Sequence, residues 1–288
     1  MILNNIQYGS DINQRFDIII PNKKLVHAIV YIHGGAYMIG NKFQYPQFLR
    51  KYVKNNIVAS IDYRLVNEDN KIKMDDIISD INNAFLKIIE LADKNNVYIK
   101  GFILIGHSAG AQIGLLYGYK NISDKIKITS CISLSGPTDY TDDLGWSSMT
   151  AWGQNLEARL QFFSTLGSTL TGYNIELTQV NWTKQKNYSE VKDYLLEISP
   201  ITYVSKNRLI PPTLIVHARS DNQVPYSNAI KLREALENNS ISHKLITPTG
   251  SGNNHMLGGE VISNNSPIDF KNQSWVNETK KWIEYYLR

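Results

Sequence analysis

A chain of 288 residues, 42% hydrophobic and 19% charged, has the length and composition of a globular protein built as one large α/β domain or two small ones. Its net charge of +4 is mildly basic, but Lys and Arg are scattered among Asp and Glu, which excludes a concentrated patch for nucleic acid or a membrane surface. No apolar run approaches membrane-spanning length, the first residues lack the regions of a secretion signal, and the single cysteine, Cys131, cannot form an internal disulfide, so a cytoplasmic protein is expected.

Residues 15–20 and 26–32 are β-type runs separated by Pro21-Asn22-Lys23-Lys24, which predicts a leading hairpin. The second run ends in His33-Gly34-Gly35-Ala36-Tyr37. Paired glycines at a strand end leave backbone N–H groups unobstructed, a cradle for an oxyanion. A further strand over 57–62 closes in Asp62-Tyr63-Arg64, read as a structural ion pair or loop anchor. Ile77, Ile78, Ile81, Ala84, Phe85, Ile88, Ile89 and Ala92 then recur at the spacing of one helix face, predicting a helix over 75–92 that Asn95-Asn96 stops.

The apolar run Phe102-Ile103-Leu104-Ile105 is followed by Gly106-His107-Ser108-Ala109-Gly110 and then by a helix start at 111–116. Ser108 therefore sits on a strand-to-helix turn. Such a turn strains the serine backbone and crowds its flanks, where glycine fits and a Cβ would clash. A dinucleotide-binding turn would need glycine where Ser108 and Ala111 stand, so that reading is set aside. Strand, helix, strand, turn and helix in this order predict a mostly parallel, doubly wound sheet.

Residues 128–134 read as the next strand, after which the alternation lapses until about 191. The segment at about 140–191 holds Trp146, Trp152, Phe162, Phe163, Tyr173, Trp182 and Tyr188, too many large apolar groups for a solvated loop. It is expected to pack as a helical cap over Ser108, within a single domain spanning 1–288, against the alternative of a peripheral helical layer. The sheet resumes at 213–217, leading into Asp221 and a helix with apolar Ala229, Leu232 and Leu236. A last strand over 243–247 precedes the Gly/Asn-rich loop that carries His255, and a stripe of Trp275, Val276, Thr279, Trp282, Ile283, Tyr286 and Leu287 forms a C-terminal core helix.

A serine hydroxyl needs a base, and that base needs an acid to fix its tautomer. Of the six histidines, only His255 stands on a long loop after a strand's carboxyl end, where reactive groups of parallel sheets collect. Asp221 is favoured as the acid, because the chain order Ser, Asp, His then follows; Asp139 and Asp269 are the rivals. The histidines and the cysteine show no metal-ligand spacing.

The chain resembles the α/β-hydrolase family over nearly its whole length, through His33 to Tyr37, Asp62-Tyr63-Arg64-Leu65, the Ser108 pentapeptide, Ser199-Pro200-Ile201, His217 through Pro225, and His255. It is most similar to small carboxylesterases and to the hormone-sensitive-lipase-like, feruloyl-esterase-like and kynurenine-formamidase-like branches. The resemblance implies Ser108 as nucleophile, His255 as base and Asp221 as acid. It also implies an oxyanion hole from the N–H groups of Gly35, Ala36 and Ala109; Ala36 replaces a glycine of many relatives, which leaves the choice among Gly34, Gly35 and Ala36 open. The function implied is hydrolysis of small carboxylic esters, with no cofactor and no metal, and with a homodimer left open. The alternatives are an arylformamidase or short-peptide amidase and a non-catalytic small-molecule binder. Tyr37, Tyr63, Trp146 and Trp152 are the expected substrate-binding residues.

Overall fold

Strands that read as continuous apolar runs bury both faces, as a parallel sheet covered by helices on each side requires. The computed structural model describes the chain apart from residues 68, 70, 121, 143–145, 147–148, 150–154, 173–174, 176–187, 207, 250–253, 261–262, 264 and 271–272. Among the described residues one sheet of eight strands is built from β1 Ile2–Gln7, β2 Arg15–Ile19, β3 Leu25–Ile32, β4 Ile57–Ile61, β5 Tyr98–His107, β6 Ile128–Leu134, β7 Thr213–Val216 and β8 His243–Ile246. Their spatial order is β1-β2-β4-β3-β5-β6-β7-β8. From β4 onward in that order all pairings are parallel; β1 and β2 are antiparallel additions at one edge.

The expected leading hairpin does not form. β2 pairs antiparallel with β4, Phe16 opposite Ile61, and β4 lies between β2 and β3. The turn at 21–24 therefore links non-neighbouring strands. β1 has no counterpart in the sequence reading, since its residues are mostly exposed and show no clean alternation.

Alternate residues of each central strand supply two cores. Ala28, Val30, Ile32, Leu104 and Cys131 face one side, where they pack with α1 Met74–Lys94 and α2 Ala109–Lys120. Ile29, Tyr31, Ile103, Ile105 and Ile132 face the other, toward Leu49 and Trp275, the latter on the C-terminal helix. The buried stripe of α1, from Ile77 through Ala92, follows the predicted face. α2 is buried all round, as a central helix behind the turn must be. The remaining helices are α3 Leu156–Thr171, α4 Tyr188–Glu197, α5 Tyr226–Asn238 and α6 Ser274–Tyr286. No helix among the described residues is long and apolar enough to cross a membrane.

Candidate active site

The turn between β5 and α2 has the crowding its sequence demands. Ser108 sits at φ +52°, in the left-handed region, with its N–H donating to the Leu134 carbonyl at 2.8 Å. A Cβ on Gly106 would lie 2.2 Å from the Gly110 carbonyl oxygen, and one on Gly110 would lie 2.2 Å from that of Ile32. Both glycines are thus required by backbone packed on backbone. Ser108 is left at the N-terminal end of α2, whose peptide dipoles favour negative charge there.

His255 is fixed from three sides. Its Nδ1–H donates to Asp221 Oδ2 at 2.9 Å, with Oδ1 at 3.1 Å. Its carbonyl accepts from His107 Nε2–H at 3.0 Å, which ties the histidine loop to the residue before Ser108. Two residues on, the Leu257 carbonyl accepts from Trp275 Nε1–H of α6 at 3.1 Å. Both imidazole and carboxylate are buried.

Asp221 is equally well held. Oδ1 accepts the backbone N–H groups of Gln223 and Val224 at 2.9 Å each, and Oδ2 also lies 3.2 Å from His217 Nε2. Burial by itself would raise this carboxyl, but the hydrogen bonds from His217 and His255 outweigh it and hold Asp221 well below the usual carboxylate range. The rivals lie elsewhere. Asp139 accepts from Thr141 and pairs with Lys231 at 3.1 Å, and Asp269 stands on a short backbone bridge with Glu260.

Ser108, His107 and His255 line one cavity of about 450 Å³ together with Gly34, Gly35 and Ala36. Gly35 (φ +112°) and Ala36 (φ +50°) carry the loop through the left-handed region. His33 Nδ1–H donates to the Gly34 carbonyl at 2.7 Å. Because a trans peptide sets C=O and N–H on opposite sides, that bond turns the Gly35 N–H away from His33. Gly34 itself stands so close to the turn that a Cβ there would be 3.1 Å from Ser108 Cβ. Burial pushes the His33 and His107 imidazoles down to about 4, so both are neutral near pH 7.

Of the expected substrate-binding aromatics, Tyr37, Tyr63 and Trp146 are not among the residues that line this cavity. Tyr37 is buried, its hydroxyl donating to Gln112 Oε1 at 3.0 Å and hydrogen-bonded to the Tyr140 hydroxyl. Tyr63 stacks on His33 at 4.3 Å and donates to the His33 carbonyl at 3.0 Å. Trp146 stacks on Tyr140 and donates to the Asp139 carbonyl at 2.8 Å. Trp152 lies outside the described residues. The described lining comes from Tyr31, Ile39, Met256 and Ile268 on the apolar side and Asn41, Gln44 and Gln223 on the amide side; none comes from 140–191.

Asp62 and Arg64 do not pair with each other. Arg64 reaches the buried Asp80 of α1 at 2.7 Å, while Asp62 accepts from the Lys42 backbone N–H and lies 3.6 Å from both Lys42 Nζ and Arg15 Nε. Sequence reasoning missed His217 as a partner of Asp221. The available signal was its place four residues before Asp221, at a strand end. Among the described residues no group of three or more His, Cys, Asp or Glu is placed to hold a metal ion.

A mostly parallel sheet with its serine on the sharp turn after a central strand places the chain in the α/β-hydrolase class of carboxylesterase-like proteins. Within it, the chain belongs to the BD-FAE family, whose model matches residues 16–236. No curated protein matches the sequence. Among solved structures, a truncated carbohydrate esterase from gut microbiota is similar at 20% identity and TM-score 0.72, covering 100% of this chain and 97% of its own. Esterase B from Lactobacillus rhamnosis, inhibited with a tributyrin phosphonate, is similar at 14% identity and TM-score 0.68, covering 99% and 84%. A thermophilic esterase of the planctomycete Thermogutta terrifontis is similar at 17% identity and TM-score 0.64, covering 95% and 86%. At these identities the likeness is one of fold.

Proposed function

We propose that this protein is a serine esterase acting on small, uncharged carboxylic esters. The observation that carries the reading is the His255 Nδ1–H bond to Asp221, which leaves Nε2 as the basic atom of a ring that lines the same cavity as Ser108. Ser108 Oγ attacks the ester carbonyl while His255 Nε2 takes its proton. The tetrahedral oxyanion is held by the N–H groups of Gly35, Ala36 and Ala109, aided by the N-terminus of α2. His255 then protonates the leaving alcohol, and water repeats the sequence on the acyl-enzyme. The described lining has no Lys, Arg, Asp or Glu, which fits an uncharged substrate. The buried free thiol of Cys131 fits a reducing, cytoplasmic setting.

The test is hydrolysis of 4-nitrophenyl esters of increasing chain length, beside acetylated sugars and N-formyl arylamides, together with labelling by a fluorophosphonate. Turnover and labelling of the wild type are expected, with Ser108→Ala lowering kcat by at least about 10⁴-fold. Folded wild-type protein that neither labels nor turns over an ester would overturn the reading.

A further inference from the structure

Asp221 is gripped by a second imidazole for which the ester mechanism has no use. His217, the residue after β7, is fully buried, and its Nε2 lies 3.2 Å from Asp221 Oδ2 and 3.1 Å from the Val224 carbonyl oxygen. Both neighbours are acceptors, so the ring carries its proton on Nε2. Nδ1 is buried and has no hydrogen-bond partner among the described residues. The groups that face the ring are Asp221 on its own loop, the edge of Tyr226 from α5 at 5.9 Å between centroids, and His107 from β5. None of these accepts a hydrogen bond from Nδ1, so the ring meets Asp221 as a donor through Nε2.

That donor role gives the contact its use. Oδ1 of Asp221 is fixed by two backbone amides, whereas Oδ2 lies between two imidazoles, His217 and His255. A directed N–H donor on Oδ2 fixes the carboxylate where it faces Nδ1 of His255, the ring whose imidazolium its negative charge stabilises. We propose that His217 is a positioning residue, holding the Asp221 carboxylate square to His255 so that the developing positive charge settles on His255 alone. The proposal rests on the reading of His255 as the base.

Three proteins test it: wild type, His217→Leu, which removes the donor, and His217→Gln, whose side-chain N–H can occupy the place of Nε2. For kcat/KM against pH, His217→Leu is expected to lower the plateau roughly thirtyfold. It also moves the acid limb up by about one pH unit, because Oδ2 then has His255 as its sole imidazole partner and binds its proton more tightly. His217→Gln is expected to return the plateau to within about threefold of wild type and the limb to its original place. A folded Leu variant whose limb has not moved, or a folded Gln variant no better than Leu, overturns the proposal, since loss of packing alone lowers the folded fraction without moving the limb. The downfield proton resonance of His255 Nδ1–H needs no substrate. It should exchange faster with water in His217→Leu and be protected again in His217→Gln; equal protection in all three proteins overturns the role of His217 even if the wild type proves not to be an esterase.

Discussion

Asp221 and Asp62 are buried aspartates that follow strand ends, each with a histidine nearby, and they are held differently. Asp221 takes its donors at hydrogen-bond distance, two backbone amides and the imidazoles of His217 and His255, and its carboxyl is held far down. Asp62 has more formal positive charge around it, with Lys42 Nζ and Arg15 Nε each 3.6 Å away, yet burial pushes its carboxyl up. Asp62 too accepts one short bond, from the Lys42 backbone N–H, but it lacks the further directed donors of Asp221, and cations 3.6 Å away do not offset the cost of burial. The first arrangement can steer a proton on a neighbouring ring; the second anchors a loop. Lys42 is only 1% exposed, so the Asp62 cluster is a piece of core beneath the glycine loop and not a surface ion pair.

Substituting the two carboxylates separately should separate the two roles. Asp221→Asn is expected to lower kcat by about 10⁴-fold, because the amide stabilises the wrong tautomer of His255, and to lower the melting temperature as well, because folding stabilises the ionised carboxylate. Asp62→Asn should keep kcat within about tenfold and instead lower the unfolding free energy by roughly 2 kcal/mol, since Lys42 stays buried with Asp17 as its remaining carboxylate at 3.6 Å. Steady-state kinetics beside urea unfolding would read both, and an Asp62→Asn enzyme as impaired as Asp221→Asn would erase the contrast.

Acid should expose a third difference. His33 and His107 have folded-state values pushed down to about 4 from an ordinary 6.5, so the unfolded chain takes up their protons first. The stability they confer is complete above about pH 6.5 and is lost as pH falls toward 4. Asp62 acts with the opposite sign, because its raised value makes the folded state the better proton acceptor as its carboxyl titrates. Melting temperatures measured across that range should fall, and should fall less steeply in His33→Gln; a flat profile in the wild type would count against neutral buried imidazoles. The smallest effect is expected at Tyr37→Phe. It removes hydroxyl bonds to Gln112 and Tyr140 and so costs about 1 kcal/mol of stability, while leaving KM within about twofold, because the hydroxyl does not line the cavity.

What the sequence made legible follows from how local the physics is. The turn around Ser108 writes its constraint into neighbouring residues, because a Cβ at Gly106 or Gly110 would strike backbone. The helix over α1 is likewise legible from its own spacing, and Asp221 and His255 from their places after strand ends. The order of strands is not local. Nothing in residues 15–32 says that β4 will slip between β2 and β3, and the exposed residues of β1 resemble a loop. Lys42 looks like an ordinary surface charge until Asp17 and Asp62 close round it. Tyr37 and Tyr63 were aromatic groups beside glycine and strand ends, and only packing shows that their hydroxyls turn inward. His217 carried a faint signal, four residues before Asp221, that needed the loop's geometry to acquire meaning.

The bond from Trp275 to the Leu257 carbonyl gives the enzyme a timetable. Ser108 and Asp221 are set by the sheet, but the loop bearing His255 is secured by a helix that the ribosome makes later than either. A nascent chain held back before α6 emerges would present a formed serine turn with its histidine loop still missing one of its three holds. Activity measured on chains arrested before and after residue 286 would show whether hydrolysis begins only when that helix docks.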